Sequence, residues 1–121
     1  KNFRKKIILI DRFTDSTLAY QHYGFGINKN LINMINQYLL KDFKIDFTFL
    51  NIVNKINLNK RLKLRKSLNR YDQFNYIFYD KVQKGFLKLS RINKKKYQII
   101  DSNLDIKHNL SLILKKIDKL I

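Results

Sequence analysis

Three short apolar runs, set apart by stretches of helical periodicity, constrain this chain more than any other feature. Lys5 to Ile10 is a compact apolar run ending at the charged pair Asp11-Arg12. Asp46 to Val53 is β-branched and aromatic, and Tyr97 to Asp101 repeats the pattern; all three read as buried strands. Between them apolar residues recur at helical spacing. Ser16 to Tyr23 predicts a short helix closing near Gly24 and Gly26, and Ile27, Leu31, Met34, Ile35, Tyr38 and Leu39 predict a helix from about Asn28 to Leu40. Ile56 to Lys66 is helical and heavily basic. Tyr71, Phe74, Phe78, Val82, Phe86 and Leu89 mark one side of a longer helix. Ile106, Leu110, Ile113, Ile117 and Leu120 stripe a last one, where Lys115, Lys116 and Lys119 complement the C-terminal dipole. Strands separated by helices form βα units around a parallel sheet, so the fold class is α/β.

The 121 residues suffice for one domain and not for two. Three parallel strands make a narrow sheet with both faces to cover. The chain opens at Lys1 and its one methionine is Met34. A single partial domain spanning 1–121, with N-terminal strands outside it, is therefore expected. Without proline and with three glycines there is no linker, repeat or low-complexity stretch. The lack of cysteine removes disulfides, thiolate nucleophiles and Cys-ligated metals. His22 and His108 have no carboxylates at ligand spacing, so no directly bound metal is expected. No apolar run approaches the ~20 residues of a membrane span, and no signal peptide opens the chain. A cytoplasmic protein without membrane contact is the expectation.

The formal charge is +17, from 26 Lys and Arg against 9 acids. Clustered cations bind phosphate backbones through counterion release. Here, however, twenty of the cations are lysine and alanine occurs once, at Ala19. That skew fits a drift toward A- and T-rich codons, in which lysine fills exposed positions, so a nucleic-acid partner is not the first expectation. The arginines inform more: Arg4, Arg12, Arg61, Arg65, Arg70 and Arg91.

In open α/β sheets ligands gather at the carboxyl ends of strands. The first run delivers Asp11-Arg12-Phe13 there, followed by Ser16, Thr17, Ala19, Tyr20 and Gln21. An arginine can clamp a phosphate with two parallel hydrogen bonds, while Thr17, Tyr20 and Gln21 offer a hydroxyl, a ring and an amide to a base or sugar. An Asp11–Arg12 ion pair capping the next helix accounts for the same spacing. Arg61, Arg65 and Arg70 form a second constellation among Lys60, Lys63 and Lys66, with Arg61 and Arg65 on one helix face and Arg70 past a break near Ser67 to Asn69. Mobile arginines suit phosphoryl transfer; on spacing alone, a solvated basic face or a nucleic-acid stripe fits better. The Tyr71, Phe74, Phe78 stripe could stack bases, yet helical spacing favours core.

Asp11-Arg12-Phe13-Thr-Asp-Ser16-Thr17-Leu-Ala19-Tyr20-Gln21, continuing His-Tyr-Gly24-Phe-Gly26, resembles the Asp-Arg-Tyr/His…Ser…Ala-Tyr-Gln…Gly-x-Gly segment of thymidylate kinases. Asp46-Phe47-Thr48 with Phe49-Leu50 resembles that family's Pro-Asp-Leu-Thr strand, and Arg61-x3-Arg65-x4-Arg70 its lid spacing. Asn69-Arg70-Tyr71-Asp72 is similar to the lid's Asp-Arg-Ile-Glu. Val82-x2-Gly85-Phe86-Leu87 and Ile99-Ile100-Asp101-Ser102 resemble the closing helix and strand. The agreement is collinear over essentially the whole chain. It implies part of a P-loop kinase sheet and the phosphorylation of dTMP to dTDP by ATP with Mg2+, on the way to dTTP. By the same resemblance Arg12 would hold the dTMP phosphate, with Asp11 organising it and the metal's water shell. Ser16, Thr17, Tyr20 and Gln21 would line the thymidine pocket, and Arg61, Arg65 and Arg70 would belong to a lid over 57–72. Homodimers are common in the family.

The chain departs from the pattern at Ile45, where the family has proline, at Asn51 and Asn69, where it has aspartate, and at Phe25, where it often has arginine. No Gly-x4-Gly-Lys-Ser/Thr loop occurs in the 121 residues. In the family that loop, a thymine-stacking aromatic and a further phosphate arginine precede the position matching Lys1. The family's first strand lies between those matching Lys5–Ile10 and Asp46–Val53. The expectation is that these residues alone neither phosphorylate dTMP nor unfold cooperatively. The alternatives are an inactive kinase remnant and a small basic nucleic-acid-binding protein; a binder would show steep salt dependence on any DNA.

Overall fold

Four of the α-helices start on asparagine or aspartate, whose side chains satisfy the first free backbone N–H groups. The computed structural model describes residues 6–41, 43–65 and 75–121. A short helix α1, Thr14–Thr17, runs into a π-helical segment, Leu18–Gly24. Helix α2, Lys29–Leu40, is capped by Asn28 Oδ1, which accepts from Asn30 N at 2.8 Å and Leu31 N at 3.3 Å. Strand β1, Thr48–Ile52, leads to α3, Lys55–Lys63, where Asn54 Oδ1 accepts from Asn57 N at 2.8 Å. Asn75 caps α4, Tyr76–Ile92, through Phe78 N at 3.1 Å. A 3-10 turn, Lys94–Lys96, precedes β2, Tyr97–Asp101, and Asp105 caps α5, Ile106–Ile117. The expected elements after the first run are thus present with shifted ends. Tyr71, Phe74 and Lys66, expected on helices, lie outside the described residues.

Strands β1 and β2 pair in parallel, Thr48 opposite Tyr97 through Ile52 opposite Asp101. The class is α/β, with a sheet of two strands among the described residues where three were expected. The difference lies at Ile7 to Ile10, which makes no ladder, with side chains 44–80% exposed. A ladder needs a neighbouring strand to pair with. Instead, a groove of about 1210 Å³ is lined by this run on one flank and by β1 on another.

The core is built on α4. Phe78 and Val82 pack with Ala19 of the π-helical segment, and Leu89 packs with Leu18 and Ile32. Leu50 and Ile100 are the buried residues of the sheet. Two glycines permit this approach. A Cβ at Gly85 would lie 2.6 Å from the Tyr23 ring, and one at Gly24 would lie 2.7 Å from the Phe78 ring. Gly26 closes the segment at φ +80°, a conformation that disfavours a side chain. Alanine in place of a mid-helix glycine ordinarily stabilises by about 1 kcal/mol. Here the sign reverses: Gly85→Ala in the natural full-length protein is expected to cost about 1–3 kcal/mol in urea unfolding, because the ring and the helix must move apart.

Candidate functional site

The loop after Ile10 turns through Arg12, which holds φ +62°, the left-handed region that non-glycine residues enter at a cost. Its guanidinium lies over the Tyr20 ring, 5.3 Å from the centroid, a cation–π arrangement. Tyr20 is seated in turn against Phe78 and Phe86 of α4, with centroids 6.0 and 6.3 Å apart. Helix α1 starts after Phe13 without a side-chain cap, so the arginine is directed by stacking rather than by helix capping. The π-helical turn widens the helix at Tyr20, a distortion that recurs at functional sites.

The second set of cations comes from α3. Arg61 Nη2 donates to the Ser102 carbonyl just past the carboxyl end of β2. Arg65 lies beyond the last turn of α3, which ends at Lys63, and its N–H reaches Leu62 O at 3.3 Å. The backbone stays helical through Leu64, whose N–H reaches Lys60 O at 3.3 Å, so Arg65 stands just past the helix end, and both arginines line the same groove. Arg70 lies outside the described residues.

The large groove brings together Asp11, Arg12, Ser16, Tyr20, Arg61 and Arg65. A smaller cleft of about 370 Å³ shares Arg12 and Ser16 and adds Thr17 with Asn36, Leu39 and Leu40 near the end of α2. Gln21 lines neither. Its backbone carbonyl accepts from Ile27 N at 2.9 Å, inside the turn that leads to α2. The groove follows β1 between two fixed ends. At the amino end of β2 the Tyr97 hydroxyl donates to Asp15 Oδ2; at the carboxyl end Arg61 meets Ser102. Just past the carboxyl end of β1, α4 is tied to the chain by Gln83 Oε1, which accepts from Val53 N at 3.1 Å.

Several residues that shape the site were not legible beforehand. Tyr97 and Asp15 are 82 positions apart, and no local pattern signals their meeting. Asn54, Asn57 and Asn103 form a further network, described below. The Asn54-x2-Asn57 spacing at the head of a basic helix was the available signal for two of them.

The family model for thymidylate kinase matches residues 1–113. The chain belongs to the thymidylate kinase family. Among curated thymidylate kinases, that of Sulfurihydrogenibium sp. (strain YO3AOP1) is 36% identical over 101 residues, covering 83% of this chain and 48% of the relative. That of the Wolbachia of Brugia malayi is 36% identical over 115 residues, covering 94% and 53%. The crystal structure of thymidylate kinase from Ehrlichia chaffeensis superposes with a TM-score of 0.64 at 30% identity, covering 98% of this chain and 54% of that one. The chain spans about half the length of the curated relatives it matches. The likeness carries the P-loop kinase fold to a thymidylate kinase family member whose own described sheet has two strands.

Burial, then the hydrogen bond to Asp15, raises the Tyr97 hydroxyl well above its ordinary pKa of 10.0. A raised folded-state value stabilises fully below the ordinary one and is lost as pH climbs toward the folded-state value. Tyr97→Phe is therefore expected to cost about 0.5–1.5 kcal/mol at neutral pH. In denaturant unfolding of the natural full-length protein at stepped pH, the gap between wild type and variant stays constant from neutral pH up to about pH 9 and narrows above pH 10.

Proposed function

We propose that the groove is a nucleotide-phosphate site and that the protein carrying these residues transfers a phosphoryl group from ATP to dTMP. The observation that supports this most is that Arg12, Arg61 and Arg65, from two distant stretches of the chain, line one groove with Asp11, Ser16 and Tyr20. A dTMP phosphate oxygen attacks the γ-phosphorus of ATP, the bond to the ADP oxygen breaks, and charge spreads over the transferring group. Arg12 would hold the dTMP phosphate by two parallel N–H bonds, steadied by the Tyr20 ring. Ser16 and Thr17 share the smaller cleft with Arg12 and supply hydroxyls to the nucleoside, with Gln21 and Tyr20 the further thymidine contacts. Arg61, Arg65 and Arg70 act from a lid over 57–72, excluding water and offsetting charge.

The residues fit the magnesium that accompanies ATP. That ion keeps several waters and takes few carboxylates, and Asp11, in the groove beside Arg12, can organise such a water shell. Among the described residues no three His, Cys, Asp or Glu gather as direct ligands. Bound there, the ion supplies positive charge against the phosphates. The Gly-x4-Gly-Lys-Ser/Thr loop is not among these 121 residues. The reading accordingly assigns them the dTMP phosphate contact and the lid, and expects no phosphorylation by them alone. A cytoplasmic setting belongs to the same reading; no helix among the described residues is long and apolar enough to cross a membrane.

Self-association belongs to it as well. The exposed face of α2 carries Leu31, Met34, Ile35, Tyr38 and Leu39, and no charged residue stands between Lys29 and Lys41. A second copy can meet that face without like-charge repulsion, despite the net charge of the chain. Met34→Lys is expected to shift sedimentation from dimer toward monomer.

A coupled ATP/dTMP assay on the natural full-length protein tests the function. Turnover of dTMP is expected, and Arg12→Lys should lower kcat/KM at least about tenfold, because lysine cannot make the paired contact. No turnover, together with duplex DNA binding that falls steeply with salt, would favour the basic nucleic-acid-binding protein that the +17 charge suggests. No turnover without DNA binding would mark an inactive remnant.

A further inference from the structure

The turn that follows β2 grips the arginine helix at two levels. Asn103 Oδ1 accepts from Asn54 N at 3.1 Å and from Asn57 Nδ2 at 3.0 Å. Its own Nδ2 and backbone N–H both donate to Asp101 Oδ1, at 2.6 and 2.9 Å. Only this orientation of the Asn103 amide suits two donors on one side and a carboxylate on the other. One residue earlier, the Ser102 carbonyl takes the Arg61 guanidinium, while Ser102 N donates to Ile52 O at 2.8 Å. The turn is therefore locked to both strands before it meets α3.

Asn54, Asn57 and Arg61 stand at i, i+3 and i+7, on one face of the helix. The turn at 102–103 thus holds the cap, the first turn and the arginine of that face together. Asn54 already satisfies Asn57 N with its side chain. Asn103 supplies what Asn54 cannot, a partner for Asn54's own backbone N–H.

We infer that Asn103 is a positioning residue for Arg61, setting where α3 begins and which way its arginine face turns over the groove. The inference rests on the reading of that groove as the phosphate site. Asn103 does not line the groove; it acts through the helix.

The test uses the natural full-length protein with Asn103→Ala, Asn57→Ala and the double variant. Asn103→Ala is expected to lower kcat about tenfold while KM for dTMP changes less than about twofold, since the Arg12 pocket stands on other elements. Asn57→Ala should show the same split, and the double variant should fall no further than the worse single one. Hydrogen exchange at the amides of Asn54 to Leu58 should quicken in both variants, while that of α2 stays unchanged. An unchanged kcat, or additive losses that track melting temperature, would overturn the inference. If Asn103→Ala does not fold, Asn57→Ala decides on the same readouts. If wild type shows no turnover, the functional reading fails on its own account. Exchange at 54–58 then judges the clasp alone, and unaltered exchange in Asn103→Ala would overturn it.

Discussion

Everything in this arrangement depends on how closely the π-helical segment Leu18–Gly24 lies against α4. Gly24 and Gly85 are the two points of contact where a Cβ would collide with Phe78 and Tyr23. That approach seats Tyr20 on the rings of α4, and Tyr20 in turn carries the Arg12 guanidinium. The strained backbone at Arg12 is held from both sides, by this stacking and by the Tyr97–Asp15 hydrogen bond. The same helix reaches the chain just past β1 through Gln83 and Val53. One helix therefore couples the loop bearing Arg12 to the strand that leads to Arg61.

The opposite side is organised by the parallel ladder of β1 and β2 and by the turn beyond it. Ladder register fixes Ile52 beside Asp101, and the turn at Ser102–Asn103 carries that register into α3. Between the two frameworks lies the groove, flanked by β1 and by the unpaired apolar run Ile7 to Ile10.

Local chemistry was legible where it acts locally. Tyr97–Asp101 forms over the residues expected, and α2 begins where Asn28 offers its cap. Of the expected stripe, Phe78, Val82 and Leu89 are buried and Phe86 is partly buried, while Tyr71 and Phe74 lie outside the described residues. What was not legible depends on partners distant in sequence. The run ending at Ile10 has the composition of a strand, but strand pairing is a property of two segments, and composition reports one. The π-helical widening at Tyr20 leaves no trace in periodicity. Arginines four apart suggest a shared face, and both line the groove although α3 ends at Lys63. In a chain rich in asparagine, Asn54, Asn57 and Asn103 do not stand out until the fold brings them together.

The most direct measurement titrates the natural full-length protein with a dinucleoside oligophosphate bearing thymidine at one end and adenosine at the other. Calorimetry would compare wild type with Arg12→Lys and Arg61→Lys. If both arginine sets serve one phosphate groove, each substitution weakens this single ligand by about tenfold or more. Weakening by one substitution alone would contradict the account, because the two sets would then serve separate sites.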